Sequence, residues 1–162
     1  MNPTEEHTQT YFGKSNCPVI KIVEREIKTP DFEGDGILVE VKQLAPEEVN
    51  GLTSDSTYNA LKNNLRDAAR KFRSYDSAHT KKHIVVIYSN EIVKDDIYSV
   101  WPGEWSPEHK DKIFKGGMLL SLDHKKHIDA IAWFKKTDDD APSYVWATTS
   151  DLKQYFPETN HE

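Results

Sequence analysis

A chain of 162 residues, 36% hydrophobic and 30% charged, is long enough for one domain with a buried core under a strongly charged surface. Its formal net charge of -6 excludes a protein that coats nucleic acid by bulk charge, and no apolar run is long enough to span a bilayer. The N-terminal MNPTEEHTQT has neither the basic start nor the apolar stretch of a signal peptide, and the single cysteine, Cys17, leaves no internal disulfide, so a cytoplasmic protein is expected.

Asn2 or Thr4 is placed to cap a first helix running to about Phe12, with Glu5 and Glu6 in its first turn and Gly13 as its stop. CPVIKIVERE then alternates, with Val19, Lys21 and Val23 on one side and Ile20 and Ile22 on the other, which predicts a strand. TPDFEGDG reads as turn material, and ILVEVKQL as a second strand paired antiparallel with the first through that loop. Asp55 or Ser56 opens the strongest helix of the chain. Tyr58, Leu61, Leu65, Ala68, Ala69 and Phe72 recur there at three- and four-residue steps and form one apolar stripe, flanked by Lys62, Arg66, Arg70 and Arg73. HIVVIYSN is a short apolar run, as expected of a buried central strand, and strand, helix, strand in order predicts a parallel crossover. From Glu91 to Lys115 the pattern is ambiguous, with a loop at PGEWSP. GGMLLSL, IDAIAWFK and SYVWATT then read as three short strands, and SDLKQYF as a final helical turn. The expectation is a single α/β domain, with a core over about 1–90 and a strand-rich extension over about 91–156.

The chemistry concentrates in KTPDFEGDGILVEVKQL. Alternate side chains of a strand share a face, so Leu38, Glu40 and Lys42 point one way and Ile37, Val39, Val41 and Gln43 the other. The second face is easily buried. The first then holds an acid and a base on a covered strand, where charges need partners. Asp31, at the mouth of the strand, is the nearest acidic partner, with Asp35 as a rival. Two carboxylates converging on one point make a hard-oxygen site suited to Mg²⁺ or Mn²⁺, the Val41 carbonyl is a further candidate ligand, and Lys42 is placed to assist attack on a phosphodiester.

Pro30-Asp31, eight intervening residues and then Glu40-Val41-Lys42 resemble the PD-(D/E)xK motif of the restriction-endonuclease-like nucleases. That superfamily often places an N-terminal helix with an additional acid before a strand, the motif hairpin, an amphipathic helix and a further strand. The resemblance covers roughly the first half of the chain. It implies an α/β restriction-endonuclease-like core with a mixed central sheet flanked by helices, and a metal-dependent nuclease acting on nucleic acid, DNA in preference to RNA. Asp31 and Glu40 would bind the metal and Lys42 would assist attack. Glu5 or Glu6 would complete the acid set, with Glu6 preferred. Many relatives of this fold pair up, so a homodimer or an accessory protein is a possible partner, and no membrane is implied. Between Ser56 and Ile84 seven basic residues stand against two acidic ones, a local charge of +5. Arg66, Arg70 and Arg73 share one sector of the helix and are candidates for phosphate contacts, against the blander reading of a solvated face; Lys62 and Lys71 are weaker candidates. The alternative to an enzyme is a non-catalytic binding or regulatory module of the same fold, which the acidic net charge favours.

Other constellations carry less. Asp123, His124, His127 and Asp129 in LDHKKHID suggest zinc, but two histidines three apart converge on a helix and the following segment reads as strand, so a solvated turn is expected. Gly116 and Gly117 lack the lysine-serine pair of a phosphate loop, TDDDAP lacks the spacing of a calcium loop, and Trp133 and Trp146 fall on strands and are expected in the core.

Overall fold

The computed structural model describes residues 1–24, 26–44, 54–89 and 126–157. Helix α1 (Pro3–Lys14) starts where three signals coincide. The Asn2 side chain accepts from the Glu5 N–H (2.9 Å), the Glu5 carboxylate accepts from the Asn2 N–H (3.3 Å), and Pro3 fills the first turn. Asn2, not Thr4, is therefore the cap. Gly13 does not stop the helix. It runs on to Lys14, and Asn16 takes the left-handed conformation (φ 62) in which the chain turns away.

Among the described residues six strands lie side by side in chain order: β1 (Val19–Lys21), β2 (Phe32–Gly34), β3 (Ile37–Gln43), β4 (Lys82–Tyr88), β5 (Ala130–Phe134) and β6 (Tyr144–Ala147). Helix α2 (Ser54–Tyr75) links β3 to β4. β3–β4 and β4–β5 are parallel and the other pairs antiparallel, which makes an α/β fold on a mixed sheet. The expected crossover is present, because the apolar stripe of α2 can be buried only by packing back across the strands it connects. β5 and β6 continue the same sheet, and a 3₁₀ helix (Ser150–Tyr155) closes it. The segments GGMLLSL, Gly116, Gly117, Trp101, Trp105, Asp123 and His124 lie outside the described residues.

The expected pairing of the first strand with ILVEVKQL is corrected. Phe32–Gly34 is not turn material; it is β2, inserted between β1 and β3. Phe32 is fully buried, and that burial draws its segment into the sheet. The reversal occurs at Asp35-Gly36, with Gly36 at φ +78 and Gly34 opposite Ile37, a two-residue hairpin turn for which Asp-Gly is suited. β1 is short, and beyond it Val23 stands in solvent instead of continuing the alternation.

The sheet buries both faces. Leu38, Leu61, Leu65, Phe72, Val85 and Trp146 pack between it and α2. Phe12, Phe32, Ile37, Val39, Val86 and Phe156 pack between it, α1 and the 3₁₀ segment. Trp133 and Trp146 are core residues, as their strand positions suggest. No helix among the described residues is long and apolar enough to cross a membrane. Gly34 marks the tightest backbone approach: a Cβ there would stand 2.9 Å from the Pro18 carbonyl oxygen and 2.9 Å from Val19 Cγ1. Since a main-chain atom cannot swing aside, Gly34→Ala is expected to destabilise the protein by about 1–3 kcal/mol, read as a lower midpoint in urea unfolding.

Candidate functional site

The β2–β3 register places Phe32 opposite Val39, and one further step puts Asp31 opposite Glu40. The Asp31 N–H donates to the Val39 carbonyl (3.1 Å), and its carboxylate accepts from the Val41 N–H (2.8 Å). Asp31 thereby extends the strand pairing with its own side chain, which fixes its carboxyl group at the end of β2. Lys21 Nζ donates to its other oxygen (3.2 Å) and also pairs with Glu5. The carboxylates of Glu5 and Asp31 are thus joined through one ammonium group. Burial opposes the charge on Lys21, but the contacts with Glu5 and Asp31 outweigh it and raise its pKa.

Across β3, toward α2, lies a second charged group. Glu40 is fully buried. Its Oε2 accepts from Lys71 Nζ (2.7 Å) and lies 3.2 Å from Lys42 Nζ. Lys42 also pairs with Asp67, which in turn lies 3.5 Å from Lys71. Glu40 Oε1 is buried and finds no hydrogen-bond donor among the described residues. The Asp31 carboxylate is near enough to disfavour charge on Glu40. Burial pushes the Glu40 carboxyl up to about 7, the neighbouring Asp31 adds to this, and Lys42 and Lys71 only partly oppose it. Burial also pushes Asp67 up, but its bonds to Lys42 and Lys71 prevail and its pKa falls. Lys71 is held above its ordinary value: burial lowers it, and Glu40 first and Asp67 after it raise it by more.

A cleft of about 520 Å³ opens on the α1 side and is lined by Asn2, Glu5, Lys21, Asp31, Val41 and Gln43 among others. It reaches Asp31 and Val41, whereas Glu40 lies buried beyond them and is not part of its wall. Asp31, Glu40 and Lys42 are therefore brought together, with Val41 bound to Asp31 through its main chain. Glu6 is not: its side chain is exposed, and Glu5 occupies the cleft. The preference for Glu6 is corrected, because the capping box turns Glu5 inward and the next residue, about 100° further round the helix, faces water. Arg70 and Arg73 are exposed and Arg66 is half-buried; none of the three lines the cleft. The basic residues that reach the acids are Lys21, Lys42 and Lys71, with Lys28 at the edge, 3.9 Å from Asp67. Asp67 and Lys71 form an i,i+4 pair at the border of the apolar stripe, and that pairing was the readable signal for both.

Glu5, Asp31, Glu40 and Asp67 are set against the ammonium groups of Lys21, Lys42 and Lys71, with exposed Lys28 at the rim 3.9 Å from Asp67. A cation between Asp31 and Glu40 would take the place of a proton on Glu40. The donor set fits a hard divalent ion: two carboxylates face one another, and one buried oxygen lacks a donor. Comparison of the chain with family models, with curated proteins and with solved structures yielded no match.

Proposed function

We propose that the protein is a divalent-metal-dependent nuclease with a restriction-endonuclease-like core. The observation that carries the reading is the pairing of the buried Glu40 carboxyl with that of Asp31 at the cleft, with Lys42 beside Glu40. The order α1, β1, the β2–β3 hairpin, α2, β4 supports it, being the order that the PD-(D/E)xK resemblance implies. Asp31 and Glu40 would hold Mg²⁺ or Mn²⁺, the Val41 carbonyl being the remaining candidate ligand. A cation bound there would supply Lewis-acid polarisation of a phosphate oxygen. Lys42 places a positive charge 3.2 Å from Glu40, where negative charge builds as the phosphodiester is attacked. Asp67 and Lys71 act as positioning residues, holding Lys42 and Glu40 respectively. Glu5, through Lys21, orients Asp31. DNA is the proposed substrate, and Arg66, Arg70 and Arg73, largely solvent-facing on α2, are suited to contacts with its backbone.

One observation favours the non-catalytic module: Glu40 already has an ammonium partner in Lys71, at 2.7 Å. The test is incubation of the purified protein with single- and double-stranded DNA and RNA, in Mg²⁺, Mn²⁺ or chelator. Cleavage is expected only with metal, and Asp35→Ala is expected to leave it unchanged, since Asp35 is exposed at the hairpin tip. Absence of cleavage in every combination refutes the nuclease and leaves the binding module.

A further inference from the structure

A second polar cluster sits toward the N-terminal end of β4, on the side covered by α2, where the buried ring of Phe72 stacks on His83. LDHKKHID does not form the expected solvated turn where it is described: His127 and Asp129 are buried. They meet residues more than forty positions earlier. His79 and His83 have ring centroids 4.0 Å apart, and those of His127 and His83 are 6.1 Å apart. One ligand nitrogen from each of the three histidines lies within 4.8 Å of the others.

The hydrogen bonding of His83 leaves a charge to be explained. Its Nδ1 lies 2.8 Å from the His127 carbonyl and its Nε2 lies 2.9 Å from Asp76 Oδ2. Both neighbours only accept. Nδ1–H can donate to the carbonyl, and the Nε2 lone pair of a neutral ring then faces a carboxylate, an arrangement relieved by a proton or a metal ion on Nε2. His79 Nε2 similarly stands 2.5 Å from Asp129 Oδ2, which also accepts from the His83 N–H (2.7 Å). With neutral rings the cluster carries the charge of Asp76 and Asp129, two negative units. Lys81, between His79 and His83 in the chain, directs its ammonium group away to Glu33.

We propose that His79, His83 and His127 form a site for one divalent cation of the zinc class, separate from the Asp31–Glu40 pair. Three imidazoles suit a borderline metal better than Mg²⁺, and three protein donors leave a fourth position for water. The bond from His83 Nδ1 to the His127 carbonyl sets the tautomer that offers Nε2 to a metal, and Asp76, which is held by Thr80 and Lys81 and now contacts Nε2, must yield that nitrogen to the ion. Ligand atoms of a tetrahedral zinc site lie about 3.3 Å apart, so the three nitrogens, now within 4.8 Å of one another, need draw in by no more than about 1.5 Å. The His79 ring must also turn out of its stack on His83. It is the partly exposed member and sits on a turn (φ 54), which gives the ion its entry. A bound ion would tie the turn after α2, the start of β4 and the lead into β5.

The test uses the whole chain, stripped with chelator and titrated with Co²⁺ and then Zn²⁺. Expected are one equivalent of Co²⁺ with the intense visible absorption of a four-coordinate ion, its displacement by Zn²⁺, and a Zn²⁺-dependent rise of several degrees in Tm. His79→Gln, at the partly exposed position, is expected to fold and to weaken binding by about tenfold or more, and Glu40→Gln to bind as the parent does. The proposal is overturned if neither metal binds stoichiometrically, or if His79→Gln binds as tightly as the parent. It is equally overturned if only Glu40→Gln loses the ion, or if ring-nitrogen NMR shows His83 doubly protonated at neutral pH and unchanged by Zn²⁺.

Discussion

Glu40→Gln is expected to reduce metal-dependent phosphodiester cleavage by about two to three orders of magnitude while leaving the protein folded. The amide keeps the size of the carboxyl group and can still occupy the fully buried position on β3, but it supplies no negative charge to hold a cation opposite Asp31. Asp31→Asn is expected to act similarly and to lose some stability as well, because the Asp31 carboxylate also pairs with Lys21. Lys42→Met should lower the rate by about a hundredfold with little change in metal affinity, if its role is to offset charge on the phosphate. Single-turnover rates over a range of Mg²⁺ concentrations separate the two cases: for Glu40→Gln the deficit should shrink as metal rises, and for Lys42→Met it should not. A Glu40→Gln protein that cuts within tenfold of the parent rate at all metal concentrations would remove Glu40 from the chemistry.

The second large effect is on stability against pH in the presence of chelator. Glu40 titrates near 4.5 when unfolded and near 7 in the fold. Between those values the folded state retains a proton that the unfolded state has released. Stability therefore falls as pH rises from about 4.5 to about 7 and is flat above, by about 3 kcal/mol in total. Groups with lowered values behave in the opposite sense. Glu33, Asp67 and Asp76 contribute stability that is present above the usual carboxylate range and is lost in acid. Urea unfolding of the parent and of Glu40→Gln across pH 4–8 isolates the first effect as their difference, and a difference that does not change with pH rules it out. Mg²⁺ should compete with the same proton: calorimetry at pH 6 in buffers of unlike ionisation enthalpy is expected to show proton release on binding, absent in Glu40→Gln.

Features that depend on near neighbours in the chain were legible. The alternation that sets Glu40 and Lys42 on one face of β3 is a property of consecutive residues, and the same holds for the apolar stripe of α2. The parallel β3–β4 pairing followed from element order. The Asp-Gly pair of the hairpin is also present in the sequence, within a stretch that reads as one longer loop. Its flanking Phe32-Glu33-Gly34 is too short to show a period, and only the burial of Phe32 identifies it as a strand.

The amino-acid order alone thus established the acid-acid-lysine set, the face it occupies on its strand and the helix that covers it, because strand and helix periods are local geometry. Tertiary structure decided which groups meet that set. It turned Glu5 inward and Glu6 outward, brought Lys71 to Glu40, and set Asp67 against Lys42. It also gathered His79, His83 and His127 from separate parts of the chain. Those encounters depend on how α1 and α2 lie across the sheet, which is settled by the burial of Phe12, Phe32, Leu65 and Phe72 and not by the charged residues that this packing brings together.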